Sequence, residues 1–372
     1  MVARGYRVLA LAPDHDEGSV AELSRMGVAF QRIPMARTGT DPRADLMTVL
    51  AIYRALRRFK PEVLLAYTMK PIIYGGLAAR AARIPHRFFL FTGFGYVFSE
   101  EISGPGFAAL RELSLFLYRR ALTGSAGVFA YNEADAADIR RHRLIADATE
   151  IVPVAGSGVD LDHFQAQPVP ADPPTFLMVA RLLREKGVTV FAEAAQRLKS
   201  IFPAARFQLL GPFDPSPLGI TKAEVDGWAE AGFLEYLGET RDVRPYLAAA
   251  TVFVLPSYYR EGLPRSALEA LAIGRAVIAS DLPGCREAVI NEVNGFSVAP
   301  KDPDALAEAM ANFLREPGLA EAFGAQSRRL AENRFCVHQV NRTILDAMER
   351  LREQQIDETV RQPRRSSQGA HG

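Results

Sequence analysis

Two series of strand-like apolar runs, each alternating with helical patterns, constrain this chain more than any other feature. The first series falls at residues 6–12, 28–33, 63–67, 87–92, 127–131 and 150–154, and helical spacing of Ala and Leu fills residues 43–59, 71–82, 107–121 and 133–142. Short continuous runs of Val, Ile, Leu and Phe fit strands covered on both faces, as in parallel sheets. Strands alternating with helices mean βαβ units. The first domain is expected over residues 1–155. A linker over 156–174 follows, dense in Pro and Ala from Gln165 onward. A second series then begins, with strands at 175–180, 206–210, 233–237, 251–255 and 276–280, and a second domain over 175–335. The expected fold class is α/β, two Rossmann-like domains facing across a cleft. Helical patterns continue over 303–314, 319–332 and 337–354, and the polar end, 357–372, reads as a disordered tail.

A length of 372 residues suits two domains. The formal net charge of +1 gives no global reason to expect nucleic acid as a partner. Two cysteines, Cys285 and Cys336, support neither a disulfide framework nor a metal-ligand set. No apolar run approaches the length of a spanning helix, so a cytoplasmic location with at most peripheral membrane contact is expected.

Chemistry concentrates between Pro256 and Glu269. The apolar run ending at Leu255 gives way to Ser-Tyr-Tyr-Arg-Glu-Gly-Leu-Pro and then to a helical pattern over 265–273, a strand, loop and helix in succession. Pro264 suits the first helical position, which places the Glu261-Gly262-Leu263 backbone just ahead of a helix N-terminus, where N–H groups and the dipole favour an anion. Glu261 at the loop lip and Glu269 about two turns into the helix are too far apart to share a proton. Accepting hydrogen bonds from ligand hydroxyls is the better role for them. Arg181 and Lys186 follow the first strand of the second domain, where two cations suit a diphosphate.

Glu261 and Glu269, with seven residues between them and Gly-Leu-Pro after the first, resemble the signature of retaining glycosyltransferases of the large GT4 family, which have the GT-B fold. The resemblance extends to Val179-Ala-Arg181-Leu-Leu-Arg-Glu-Lys186-Gly187, to Gly156-Ser-Gly-Val-Asp160 and to Ala279-Ser-Asp281-Leu-Pro-Gly284-Cys-Arg-Glu287. By that resemblance Arg181 and Lys186 neutralise a leaving pyrophosphate. Glu261, with Gly262, Leu263 and Pro264, holds the donor sugar and phosphate, and Glu269 takes the ribose hydroxyls. The base is expected near the turn from Gly238 to Arg241. On the first domain, Thr92-Gly93-Phe94-Gly95 offers backbone to the acceptor side, and the His that many relatives carry near this point is absent. The last helix, 336–356, is expected to pack back onto the first domain.

The activity implied is transfer of a sugar from a nucleotide-diphosphate sugar, UDP-linked by expectation, to a glycan or lipid-linked glycan in bacterial surface polysaccharide synthesis. No cofactor and no metal are expected. Asp160-Leu-Asp162 and Asp14-His-Asp16 look like metal-binding pairs of another glycosyltransferase fold, but the first belongs to the linker pattern and the second to a loop after a strand. A non-hydrolysing 2-epimerase shares the fold, yet acid and base residues for it do not stand out in the first domain. A catalytically silent sugar-nucleotide binding subunit is the rival from another class. A nicotinamide dehydrogenase is disfavoured, because no Gly-x-Gly-x-x-Gly follows a first strand. The helical segment 107–120 ends in Arg119 and Arg120 and carries apolar residues around much of its circumference, so it suits either a core or an anionic bilayer.

Gly5 reads as a helix stop, yet only four residues precede it. In the resembled family a strand, a Gly-rich loop and a helix come before such a segment. The first domain is therefore expected to lack its first strand, with Met1 an internal methionine.

Overall fold

The computed structural model describes residues 1–13, 16–36, 41–93, 105–170, 173–259, 261–316 and 318–361. Its second half is built on one parallel sheet of β7 (Thr175–Val179), β8 (Arg206–Leu210), β9 (Glu235–Tyr236), β10 (Val252–Leu255), β11 (Ala276–Ser280) and β12 (Gly295–Val298). The spatial order is β12-β11-β10-β7-β8-β9, so the chain winds outward from β7 in one direction and then resumes at β10 on its other side. β10 and β11 are buried along their whole length. That follows from their unbroken Val, Ile, Phe and Ala runs, since helices cover both faces: α6 (Val188–Ile201), α7 (Lys222–Glu230), α8 (Arg244–Ala249), α9 (Arg265–Ile273), α10 (Pro303–Arg315) and α11 (Leu319–Leu330). β12 escapes a run-based reading, because Gly295-Phe-Ser-Val is short, half-polar and only partly buried.

The first half divides. β1 (Leu9–Ala12) and β2 (Ala29–Arg32) form a two-stranded parallel ribbon, while β3 (Val63–Tyr67), β4 (His86–Phe91), β5 (Gly127–Ala130) and β6 (Ile151–Pro153) form a separate four-stranded parallel sheet. β1 does not pair with β3. Between them lies a largely apolar cavity of about 2400 Å³, bordered by Leu9, Leu11, Val63 and Leu65 and reaching Lys186 and Arg181. Its consequence is visible in burial: no residue of β1 is buried, although Leu-Ala-Leu-Ala reads as an interior strand. Packed around these strands are α1 (Glu17–Arg25), α2 (Pro42–Phe59), α3 (Met69–Ala81), α4 (Pro105–Leu122) and α5 (Glu133–Arg141).

One device ties residues 167–168 to the second domain, and another joins the halves. Arg275, fully buried, donates to the carbonyls of Gln167 and Pro168 in the linker and of Leu247 and Ala248 in α8, and burial lowers its guanidinium pKa to about 10. The last helix, α12 (Val337–Arg361), returns to the first domain, where Val340, Met348 and Leu351 join Phe88, Phe129 and Val152 in one apolar cluster. α12 runs five residues past the expected end at 356, so the segment 357–361 is helical rather than tail. The remainder of the expected tail lies outside the described residues.

Candidate active site

The carboxyl ends of β7 and β10 meet at the point where the sheet order reverses, the crevice in which open α/β sheets bind ligands. After β7 the chain passes Arg181 and makes one tight turn, Arg184–Lys186, before Gly187 admits it to α6 with φ 80. A Cβ at Gly187 would collide with the carbonyl of Pro256, so the turn can press on the end of β10 only because the residue is glycine. The Glu185 carbonyl then accepts from the backbone N–H groups of Tyr258 and Tyr259, each at 2.9 Å, and from the Ser257 hydroxyl at 3.2 Å. These bonds set Lys186, just ahead of α6, against the loop after β10. Lys186 Nζ donates to Glu261 Oε1, and Ser257 Oγ lies 3.0 Å from the same oxygen, so its single proton serves either Glu261 or the Glu185 carbonyl. Glu261 is only 8% exposed, so its charge is held by partners rather than by water.

Pro264 is extended at φ −64, ψ 122 and caps α9 rather than opening it, one residue short of its expected place. Glu269, four residues after Arg265, lies about one turn into the helix, not two. It accepts from Arg265 Nε at 3.0 Å, and burial raises its carboxyl pKa above the ordinary value against the opposing pull of Arg265 and His163. Ahead of the cap, the N–H groups of Gly262 and Leu263 make no backbone hydrogen bond among the described residues. From the first domain, the carboxyl ends of β4 and β5 close on this loop. A Cβ at Gly262 would collide with the Thr92 carbonyl, and Gly93, at φ 108, lies against Gly262 N. Thr92 and Gly93 thus meet the 261–264 loop directly, while Phe94 and Gly95 lie outside the described residues.

Comparison with known sequences bears on this geometry. Residues 160–330 match the family described as Glycosyl transferases group 1, and residues 1–155 match the Glycosyl transferase 4-like domain. The chain belongs to the GT4-like glycosyltransferases. It is 29% identical, over 80% of both chains, to the N,N'-diacetylbacillosaminyl-diphospho-undecaprenol alpha-1,3-N-acetylgalactosaminyltransferase of Campylobacter jejuni. It is 27% identical, over 72% of this chain and 70% of the other, to the UDP-Gal:alpha-D-GlcNAc-diphosphoundecaprenol alpha-1,3-galactosyltransferase of Escherichia coli. Among solved structures it resembles sucrose-phosphate synthase from Thermosynechococcus elongatus, with TM-score 0.75, 23% identity and coverage of 94% and 90% of the two chains. The fold is that of the GT-B glycosyltransferases.

Not every predicted residue of this glycosyltransferase converges on one point. Arg181 is held away from the Lys186–Glu261 pair by Asp214, at 2.7 Å, with its guanidinium largely exposed. Gly238 lies two residues past β9, where its carbonyl accepts from Gly211 N at 2.8 Å. Arg241 is exposed and faces the first domain, where its charge adds to the lowering of the Asp16 carboxyl pKa that the Ser19 N–H chiefly causes. Asp160 accepts from the N–H groups of Asp162 and His163, both at 3.0 Å, a turn rather than a metal ligand set. Asp14 is outside the described residues. No group of three His, Cys, Asp or Glu among the described residues is arranged to hold a metal ion.

Four residues of the site were not singled out from sequence. Ser257 and Asp214 are the partners of Glu261 and Arg181. Glu287 accepts from Gly284 N at 2.6 Å and fixes the turn on which Glu261 and Gly262 rest, since a Cβ at Gly284 would meet both their carbonyls. Asn132, from the first domain, donates to the Gly262 carbonyl at 3.1 Å. Only Ser257 and Glu287 had a sequence signal, as members of motifs already quoted. Cys285, buried beneath the loop, has its thiol pKa pushed up by burial, which argues against a nucleophilic role.

Proposed function

We propose that the protein is a retaining, metal-independent glycosyltransferase that moves a sugar from a UDP-sugar to a glycan borne on a polyprenyl diphosphate, in the building of bacterial surface polysaccharide. The observation that carries this reading is the Lys186–Glu261 pair beside the N–H groups of Gly262 and Leu263, at the head of α9, with Lys186 lining the large cavity. In the reaction the bond from C1 to the diphosphate oxygen breaks and a bond from the acceptor oxygen forms on the same face. The acceptor's proton passes to the departing phosphate. Lys186 and the loop N–H groups stabilise the charge that develops on the diphosphate, Glu261 orients sugar hydroxyls, and Glu269 accepts from the ribose. The UDP donor and the lipid-linked acceptor are suggested by relatives whose names specify them.

A membrane-borne acceptor agrees with the surface of the first domain. Leu113 and Phe116 of α4 are about half exposed beside Arg120, which lies over the Phe116 ring at 5.2 Å. No helix among the described residues is long and apolar enough to cross a membrane, so the contact proposed is peripheral, at the inner face.

The test is turnover across a panel of UDP- and GDP-sugars with and without chelator and with an undecaprenyl-diphosphate glycan as acceptor, the product anomer being read by NMR. One UDP-sugar should be consumed equally in the presence of chelator, with its anomeric configuration kept. Lys186→Ala should cost roughly 3 kcal/mol of transition-state stabilisation, about a hundredfold in kcat. A loss below about threefold removes Lys186 from the site, and conversion of the donor to its 2-epimer without acceptor replaces this reading with an epimerase.

A further inference from the structure

Asn132 has a helix cap to supply, and half of its carboxamide would suffice for that. It sits between β5 and α5 at 7% exposure, and its Oδ1 accepts from Asp135 N at 2.8 Å. With the oxygen committed there, both amide hydrogens face the other way. One is donated to Asp135 Oδ2 at 2.9 Å and one to the Gly262 carbonyl at 3.1 Å, across the cleft. Asp135 is fully buried, so the carboxamide is gripped from its own domain while it reaches into the other.

A peptide unit is planar and trans, so its carbonyl and the following N–H point in opposite directions. Whatever fixes the Gly262 carbonyl therefore aims the Leu263 N–H. We propose that Asn132 is a positioning residue that latches the second domain's 261–264 loop to the first domain and sets the direction of the Leu263 N–H toward the donor's diphosphate. The role toward donor rests on the reading of that loop given above. The latch also couples the two domains at the site: when the cleft opens the bond is lost and the Leu263 N–H loses its fixed direction, so donor affinity depends on closure. Gly262 suits this contact further, since the close approach of Thr92 confines the same peptide from its other neighbour.

The cap and the latch can be separated. Asn132→Ser keeps a capping oxygen but is too short to reach Gly262. It also takes a donor from the buried Asp135 carboxylate, so the unfolding midpoint should fall, and the readouts are taken on the full-length protein well below that midpoint. There the Leu263 amide should become more mobile by 15N relaxation than in the parent, and the Kd for UDP should rise by about threefold to tenfold, the range that one hydrogen bond of ordinary net strength supplies. If Leu263 mobility and UDP affinity in Asn132→Ser equal those of the parent, capping is all that Asn132 does and the inference falls. If Leu263 mobility rises but neither parent nor variant binds UDP, the latch stands as a constraint on the loop and the UDP reading falls instead.

Discussion

Glu269 shows how one residue can carry opposed demands. Its carboxyl is buried, which raises its pKa above the ordinary 4.5 despite Arg265 at hydrogen-bonding distance. A raised acid pKa means that the folded protein holds this proton more tightly than the unfolded chain. Its stabilising contribution is then present below pH 4.5 and is lost as pH rises through the folded value. Donor binding runs the other way, because only the carboxylate can accept from both ribose hydroxyls. As pH rises above 4.5 through the raised folded value, UDP affinity should therefore rise while this contribution to stability declines. Glu269→Gln should bind UDP more weakly, lack that acidic limb, and gain stability relative to the parent as pH increases. Urea unfolding and UDP titration over the same pH series check both signs, and parallel curves for parent and variant would remove Glu269 from the ribose site.

α4 was ambiguous in the sequence because its apolar residues encircle much of the helix, and the structure divides them. Leu115, Tyr118, Ala121 and Leu122 are buried, Tyr118 stacking on Phe91 at 5.5 Å, whereas Leu113 and Phe116 remain exposed. The helix is thus a core element with an apolar outer edge. Leu113→Glu with Phe116→Glu should leave the fold intact, since neither side chain is in the core, and should sharply reduce sedimentation with anionic vesicles at low salt. Equal sedimentation of parent and variant would exclude this face as the membrane contact. At the same scale β3, β8, β11 and α9 fall where the apolar runs and helical spacing placed them, while Pro264 caps α9 instead of opening it, because it has the extended ψ of a cap. Local sequence is nearly silent on that difference, as the same φ serves both positions.

At the scale of the whole molecule, the divided first domain is the feature most exposed to experiment. The second domain has a continuous six-stranded sheet and one large apolar cluster, but the first has two sheets and a cavity where a parallel neighbour would satisfy the facing edges of β1 and β3. The 372-residue chain should therefore unfold in two steps, with amides of Leu9–Ala12 and Val63–Tyr67 exchanging well before those of Val252–Leu255 and Ala276–Ser280. A single calorimetric transition with uniform protection would contradict this. The sequence alone determined the two α/β domains and the strand, loop and helix that bear Glu261 and Glu269, because strand runs, helical spacing and turn residues are local signals. It also pointed to Lys186, Glu261 and the 262–264 backbone, through motifs. Tertiary structure alone decided that Lys186 and Glu261 pair, that Asp214 holds Arg181 aside, and that Asn132 and Thr92 meet Gly262. Each of those contacts joins residues from different strand ends, and which ends become neighbours is fixed by sheet order, a property that no local run of residues encodes.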